Sequence, residues 1–349
     1  MKLSRRRGRA RVLVFIDLVQ DIDTLLPVLA AMRDDADLEP RVVVSRWLAR
    51  ESPRTEALLT RHRLGFSWVR RAEVIAGRAP GLRGQAAVLS AAESSHPAHA
   101  AAHALAARAE AGGLAAFTLQ HGLENVGLNG PEANHRFASS RVFCWFPSGA
   151  IPPETPADTR PKLSHVGRPM MDAPAPAPPT YEVGVFENLH ADRYTAGDRQ
   201  TFRAGVEALA REGVRTLVRP HPAGGWSNGL AGFARLHSSL TVQSAAALRG
   251  QVSGVSTAVM QCRRVITTPS TVALDALQLN RPVSLAVRGG PAYAGLPVLE
   301  GPEEWLAFAA SSMDSAPDMR PFLAARVMEG DATPRILAQI KADLRARKG

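Results

Sequence analysis

Five short polar clusters hold the side chains of this 349-residue chain that could do chemistry, and each follows an apolar run. They are Glu93-Ser94-Ser95, Gln120-His121-Gly122, residues 188–194, Arg219-Pro220-His221-Pro222 and Thr267-Thr268-Pro269-Ser270-Thr271. The last stands just before an apolar helical pattern, so its hydroxyls and the first backbone N–H groups of a helix would meet there, a setting that suits a phosphate. A plain Ser/Thr helix cap has the same sequence. In the fourth cluster two prolines stiffen the loop, so that Arg219 can fork a phosphate and His221 can donate to one; a turn with a solvent-exposed arginine is the competing reading. His121 offers different chemistry. An imidazole near its ordinary pKa takes a hydroxyl proton at neutral pH, and Gly122 lets a ligand approach the backbone. With ten histidines in the chain, a purely structural histidine is the alternative.

The elements that must position these clusters alternate between strand and helix. Residues 11–19, 41–47, 86–95 and 114–122 read as strands, with helical spacing over 23–35, 53–65 and 96–113. Ten prolines between 147 and 179 exclude a helical period and mark a domain linker. Beyond it strands are expected at 181–188, 215–222, 264–270 and 282–289, and helices at 196–213, 246–262 and 271–280. Ile336, Leu337, Ile340 and Leu344 predict a terminal amphipathic helix over 333–348. Such alternation predicts an α/β protein with parallel sheets covered by helices, whose ligands gather at the carboxyl ends of the strands.

Composition narrows the classes. Hydrophobic residues at 45% and charged residues at 21% exclude a disordered or fibrous chain. Cys144 and Cys262 make neither a disulfide framework nor a zinc cluster, and the first apolar run is too short for a signal peptide or a membrane span. A cytoplasmic protein is expected. The net charge is +10, yet six basic residues lie in the first eleven positions, from Lys2 to Arg11. That stretch is a solvated tail or a tether to anionic lipid on the inner face of the membrane; with 5% aromatics and no binding motif after the tail, nucleic acid is not an expected partner.

Taken in order, the clusters resemble the two-domain GT-B glycosyltransferase superfamily, with UDP-N-acetylglucosamine 2-epimerases and CDP-glycerol glycerophosphotransferases as the nearest-looking branches. Val166-Gly-Arg-Pro-Met-Met-Asp172 resembles the Gly-x-Pro-x-x-Asp segment at the crossing between domains. Arg219-Pro-His221-Pro resembles the second-domain His-Pro motif of glycerophosphotransferases, capsule transferases and bacterial sialyltransferases, and residues 267–283 resemble their Ser-Ser/Thr loop, helix and small-Pro-Val strand. His121-Gly122 is similar to the motif whose histidine activates the acceptor in glycerophosphotransferases, although Leu123 stands where that motif continues with Thr. The epimerases carry His-x-Glu-Ala-Gly-Leu where this chain has residues 118–123, and the carboxylate is missing.

The resemblance implies two Rossmann-like domains whose parallel sheets face each other across a cleft: residues 1–165 on the acceptor side with a basic tail over 1–11, residues 166–332 for the nucleotide, and a terminal helix over 333–349. It implies a metal-independent transferase of surface-polysaccharide biosynthesis, such as capsule or lipopolysaccharide, with no cofactor beyond its substrate. A glycosyl or polyol-phosphate group would pass from a nucleotide-activated donor to a glycan or lipid-linked acceptor. His121, or else Glu93, would be the catalytic base; Arg219, His221, Thr268, Ser270, Thr271, His190 and Arg193 would hold the donor phosphates, and Asp275 a ribose hydroxyl. The alternatives are an epimerase of nucleotide sugars and a non-catalytic nucleotide-binding member of the assembly machinery.

Overall fold

The computed structural model describes residues 8–171, 178–188, 194–221, 229–251, 254–312 and 317–347. The chain forms two compact units, one of residues 1–171 with 325–349 and the other of residues 172–324.

The first unit is built on a seven-stranded sheet with the order β3-β2-β1-β4-β5-β6-β7. The strands are β1 (Ala10–Ile16), β2 (Leu38–Ser45), β3 (Phe66–Val69), β4 (Ala87–Ala91), β5 (Ala115–Leu119), β6 (Arg141–Cys144) and β7 (Leu163–His165). Every pairing is parallel; Val14 of β1 stands opposite Val42 on one side and Leu89 on the other. A central parallel strand is covered on both faces, which explains why β1 is a continuous apolar run rather than an alternating one. Val12, Leu13, Val14, Phe15 and Ile16 are all fully buried.

The second unit has a five-stranded parallel sheet, in the order β10-β9-β8-β11-β12. Its strands are β8 (Tyr181–Phe186), β9 (Thr216–Arg219), β10 (Leu240–Val242), β11 (Cys262–Thr267) and β12 (Val283–Leu285). Val185 of β8 pairs with Val218 and Ile266. In both sheets the chain winds outward from a central strand, β1 or β8, and then restarts on its other side, which puts a switch point between β1 and β4 and another between β8 and β11.

Three sequence expectations change. The proline-rich stretch is not all linker: it carries β7, which pairs with β6, and residues up to Met171 belong to the first unit. An edge strand tolerates neighbouring prolines because one side of its ladder needs no donors. The expected helix over 246–262 is two short helices, Ala245–Gly250 and Val255–Met260. Ser244 Oγ caps the first by accepting the Ala247 N–H at 3.1 Å, and Gly254 starts the second. The terminal helix, Ala332–Ala346, returns to the first unit. Arg141 of β6 forks its Asp343 at 2.9 Å on both nitrogens, and Lys341 pairs with Asp35.

In the second unit the helices Ala196–Arg211 and Pro302–Ala310 approach closely at Gly205, where an added Cβ would stand 2.3 Å from Cδ2 of the fully buried Trp305. Helix propensity alone makes Gly205→Ala stabilising by about 1 kcal/mol, whereas overpacking makes it destabilising by about 1–3 kcal/mol. We expect the second effect to win, as a lower urea midpoint; a higher one would contradict the close approach.

Candidate functional site

At the carboxyl end of β4 the backbone turns at Ala92, a non-glycine residue in the left-handed region at φ 47°. The turn sends Glu93, 1% exposed, inward. Its Oε1 accepts from His103 Nδ1 at 2.6 Å and from the Ala138 N–H at 3.0 Å, and its Oε2 accepts from the Ser139 N–H at 3.2 Å. Glu93, expected as a possible base, thus fastens the loop of residues 138–139 to the sheet edge and to the helix Ala100–Ala111.

The loop after β5 is braced by side-chain amides. Gln120 accepts the Trp145 N–H through Oε1 and donates to the Gly122 carbonyl through Nε2, both at 2.8 Å. The His121 N–H donates to Asn125 Oδ1 at 3.0 Å, and Asn129 holds the Asn125 N–H and the Leu123 carbonyl. Gly122 is required because a Cβ there would meet the Glu124 carbonyl oxygen at 2.6 Å. These bonds hold the backbone from which His121 projects. The His121 Nδ1 is buried and makes no hydrogen bond, and burial pushes the imidazole down to about 4. The expectation of an imidazole near its ordinary pKa is therefore corrected: His121 is neutral at pH 7 and a weaker base than a solvated histidine.

Beside it lies a row of histidines that the sequence reading did not single out. His99 is 5% exposed, its Nδ1 is 2.7 Å from Ser94 Oγ, and its ring meets that of His121 edge to face at 5.8 Å. His96 follows at 5.3 Å from His99, and His135 at 5.0 Å from His96. Burial first, then the charges of His121, His96, His135 and Arg71, push His99 down to about 3. The signal available in the sequence was three histidines within eight positions, 96, 99 and 103, inside a segment that otherwise reads as an alanine-rich helix.

The ends of β1 and β3 add a charged group that spacing also missed. Arg71 Nε donates to Asp17 Oδ1 at 2.7 Å while its guanidinium lies 4.4 Å over the Trp47 ring. Asp21 Oδ2 accepts the N–H groups of Asp17 and Leu18 at 2.9 and 2.8 Å, leaving Asp17 Oδ2 and Asp21 Oδ1 buried without hydrogen bonds. Both cysteines are buried, which pushes their thiols up to about 12. Among the described residues no group of three or more His, Cys, Asp and Glu is placed to hold a metal ion.

In the second unit the Thr/Ser cluster occupies the switch point between β8 and β11. Thr268 Oγ1 accepts the Asn188 N–H at 2.7 Å, and the Thr268 N–H donates to the Phe186 carbonyl at 3.0 Å. Ser270 Oγ accepts the Val272 N–H at 3.2 Å and lies 3.1 Å from Thr267 Oγ1, while Thr271, the N-cap of the helix Val272–Gln278, makes no side-chain cap bond. Thr271 is half-buried in the same turn. Buried Asp275 accepts from Ser256 Oγ at 3.3 Å. Arg219 comes from β9, one strand away. It is 7% exposed, not a solvent-facing turn residue, and its Nη1 donates to Gln243 and Gln251 at 3.1 and 3.2 Å. His221 is half-buried two residues beyond that strand. His190, Arg193 and Asp172 lie outside the described residues.

Burial pushes the Asp21 carboxyl up to about 7; the Asp17 charge adds to that, and the two N–H groups and Arg71 oppose it. A carboxyl whose folded pKa is raised contributes its full stability below its unfolded pKa near 4 and loses it as pH rises through 7. Asp21→Asn keeps an acceptor for both N–H groups and cannot ionise. Its stability relative to the parent should therefore rise between pH 4 and pH 8, by up to about 4 kcal/mol at roughly 1.4 kcal/mol per pK unit; parallel pH curves in urea unfolding would refute the buried acid.

No protein-family model and no curated protein sequence matches the chain. Solved structures do. S. aureus MnaA, determined with UDP, is 13% identical over 96% of this chain and 97% of its own, with a TM-score of 0.66. The UDP-GlcNAc 2-epimerase of Neisseria meningitidis, bound to UDP-GlcNAc, is 10% identical over 95% and 100%, at 0.65. The calicheamicin glycosyltransferase CalG4 is 14% identical over 97% and 98%, at 0.58. The chain therefore has the GT-B fold, two Rossmann-like units in one polypeptide, which it shares with these epimerases and glycosyltransferases.

Proposed function

We propose that the protein is a transferase that moves a glycosyl or polyol-phosphate group from a nucleotide-activated donor to an acceptor hydroxyl. The observation that carries this reading is His121: a neutral imidazole on an amide-braced loop at a strand end of the first sheet. Its lone pair can take the acceptor's proton as the acceptor oxygen bonds to the transferred group, while the bond to the nucleotide breaks and its electron pair leaves with the nucleotide phosphate. In the second unit Thr268, Ser270, Thr271, Arg219 and His221 would hold that phosphate and Asp275 a ribose hydroxyl, with His190 and Arg193 as further phosphate-binding residues. No cofactor beyond the donor is required.

An epimerase is the second reading, favoured by the likeness to a structure bound to UDP-GlcNAc. Against it, the end of β5 presents the amide of Gln120, whose oxygen and nitrogen are both engaged, and the nearby Glu93 carboxylate is committed to the loop.

His121→Ala should lower turnover of CDP-glycerol or UDP-GlcNAc, followed as nucleotide release, by roughly 100- to 10,000-fold, with the affinity for CDP and UDP intact. Arg219→Ala should instead weaken that affinity by about 1.5–3 kcal/mol, the scale of a charged hydrogen bond. Inversion at C2 of UDP-GlcNAc, seen by NMR, would favour the epimerase over the transferase, and nucleotide binding without any turnover the non-catalytic reading.

The acceptor we assign to surface-polysaccharide assembly, glycan or lipid-linked, with the basic residues from Lys2 to Arg11 drawing the protein to anionic lipid. No described helix is long and apolar enough to cross a membrane. Full-length protein should float with anionic liposomes in low salt at about 1 kcal/mol per basic residue near the surface, and protein lacking residues 2–7, which keeps the Arg9 contacts and all of β1, should not; equal flotation of both would end the tether idea.

A further inference from the structure

A general base is usually aimed by a third group that hydrogen-bonds its far nitrogen. His121 has no such bond, because its Nδ1 is buried without a partner. Its ring meets that of His99 edge to face at 5.8 Å. His99 is itself fixed. It sits in the 3-10 turn Pro97–His99 that leads directly into the helix Ala100–Ala111, and its Nδ1 lies 2.7 Å from Ser94 Oγ. Ser94 is fully buried, and its oxygen also accepts the His96 N–H at 3.3 Å. The serine keeps both its proton and a second lone pair for His99 Nδ1, so the bond fixes the rotation of the His99 ring whichever partner donates.

We infer that Ser94 and His99 form a positioning dyad for His121, in which Ser94 sets the rotation of His99, and the His99 ring holds the His121 imidazole in one orientation and shields it from water. The inference rests on His121 being the base of the proposed reaction. The surrounding charges agree with it. The cationic or proton-accepting groups on this side are Arg71, His96 and His135. Three nearby carboxylates are engaged elsewhere, Glu132 with His96 at 3.2 Å, Glu93 with His103 and the backbone of residues 138–139, and Asp17 with Arg71; Glu124 lies in the His121 loop itself. Burial beside these rings disfavours charge on His121 and keeps the base neutral.

The test uses the full chain without ligand, with the His121 ring signals identified in NMR spectra by their loss in His121→Ala. His99→Asn keeps an amide near Ser94 but removes the wall, so water should reach His121 and its titration midpoint should rise by about one pH unit. Ser94→Ala deletes one oxygen and frees the His99 ring, so the His121 signals should split or broaden while the fold is retained. The acid limb of nucleotide release from CDP-glycerol or UDP-GlcNAc should move with the midpoint in His99→Asn, and kcat should fall with little change in KM. A His121 spectrum and midpoint unchanged in both variants would overturn the dyad. If His121→Ala is inactive but both variants behave as the parent, only the dyad fails; full turnover in His121→Ala removes the base reading and the dyad together.

Discussion

Parallel strands can follow one another only through a crossover, and that constraint orders the rest of this protein. Each crossover returns the chain to the same edge, so the loops after the strands emerge together at the carboxyl end and carry the polar side chains. Where successive crossovers leave in opposite directions, between β1 and β4 and between β8 and β11, the loops part and open a place for a ligand. Arg71 meets Asp17 at the first of these points, and Asn188 meets Thr268 at the second.

Within that frame, burial sets the charge states. At the first edge it favours the neutral form of every group it perturbs strongly: Asp21 moves up to about 7, His121 down to about 4 and His99 down to about 3. Fixed dipoles then do the holding that free charges would do in water. The amides of Gln120, Asn125 and Asn129 shape one loop, and the Glu93 carboxyl is enclosed by donors from two backbone groups and His103. Such a site costs stability in the empty protein and gains orientation for a proton transfer.

The second edge follows a different economy. Its hydroxyls bond to one another and to the β8 carboxyl end, and Arg219 is held in place by two glutamines before any ligand arrives. A guanidinium braced in this way has lost most of its rotamer freedom already, so an anion that reaches it meets a preorganised partner. The Ser270 hydroxyl that accepts the Val272 N–H and the phosphate-compatible turn are one arrangement, since both rely on oxygen and N–H groups at the same helix start.

The sequence by itself determined the fold class, the long strands β1, β2, β8 and β11, and the polar clusters after them. Apolar runs of strand length alternate there with helical spacing, and a buried parallel strand needs no partner to be recognised. The short strands β3, β6, β7 and β10 left no such trace, because three or four residues at an edge or beside a proline-rich loop carry too few side chains to define a period. Only the tertiary structure decided which clusters become neighbours. It tied Glu93 to His103 and to the loop of residues 138–139, set the His121 ring against that of His99, and carried the last helix back to the first unit through Arg141 and Asp343. Those outcomes depend on strand order and burial, which arise from packing between segments tens to hundreds of residues apart and have no local signature in the chain.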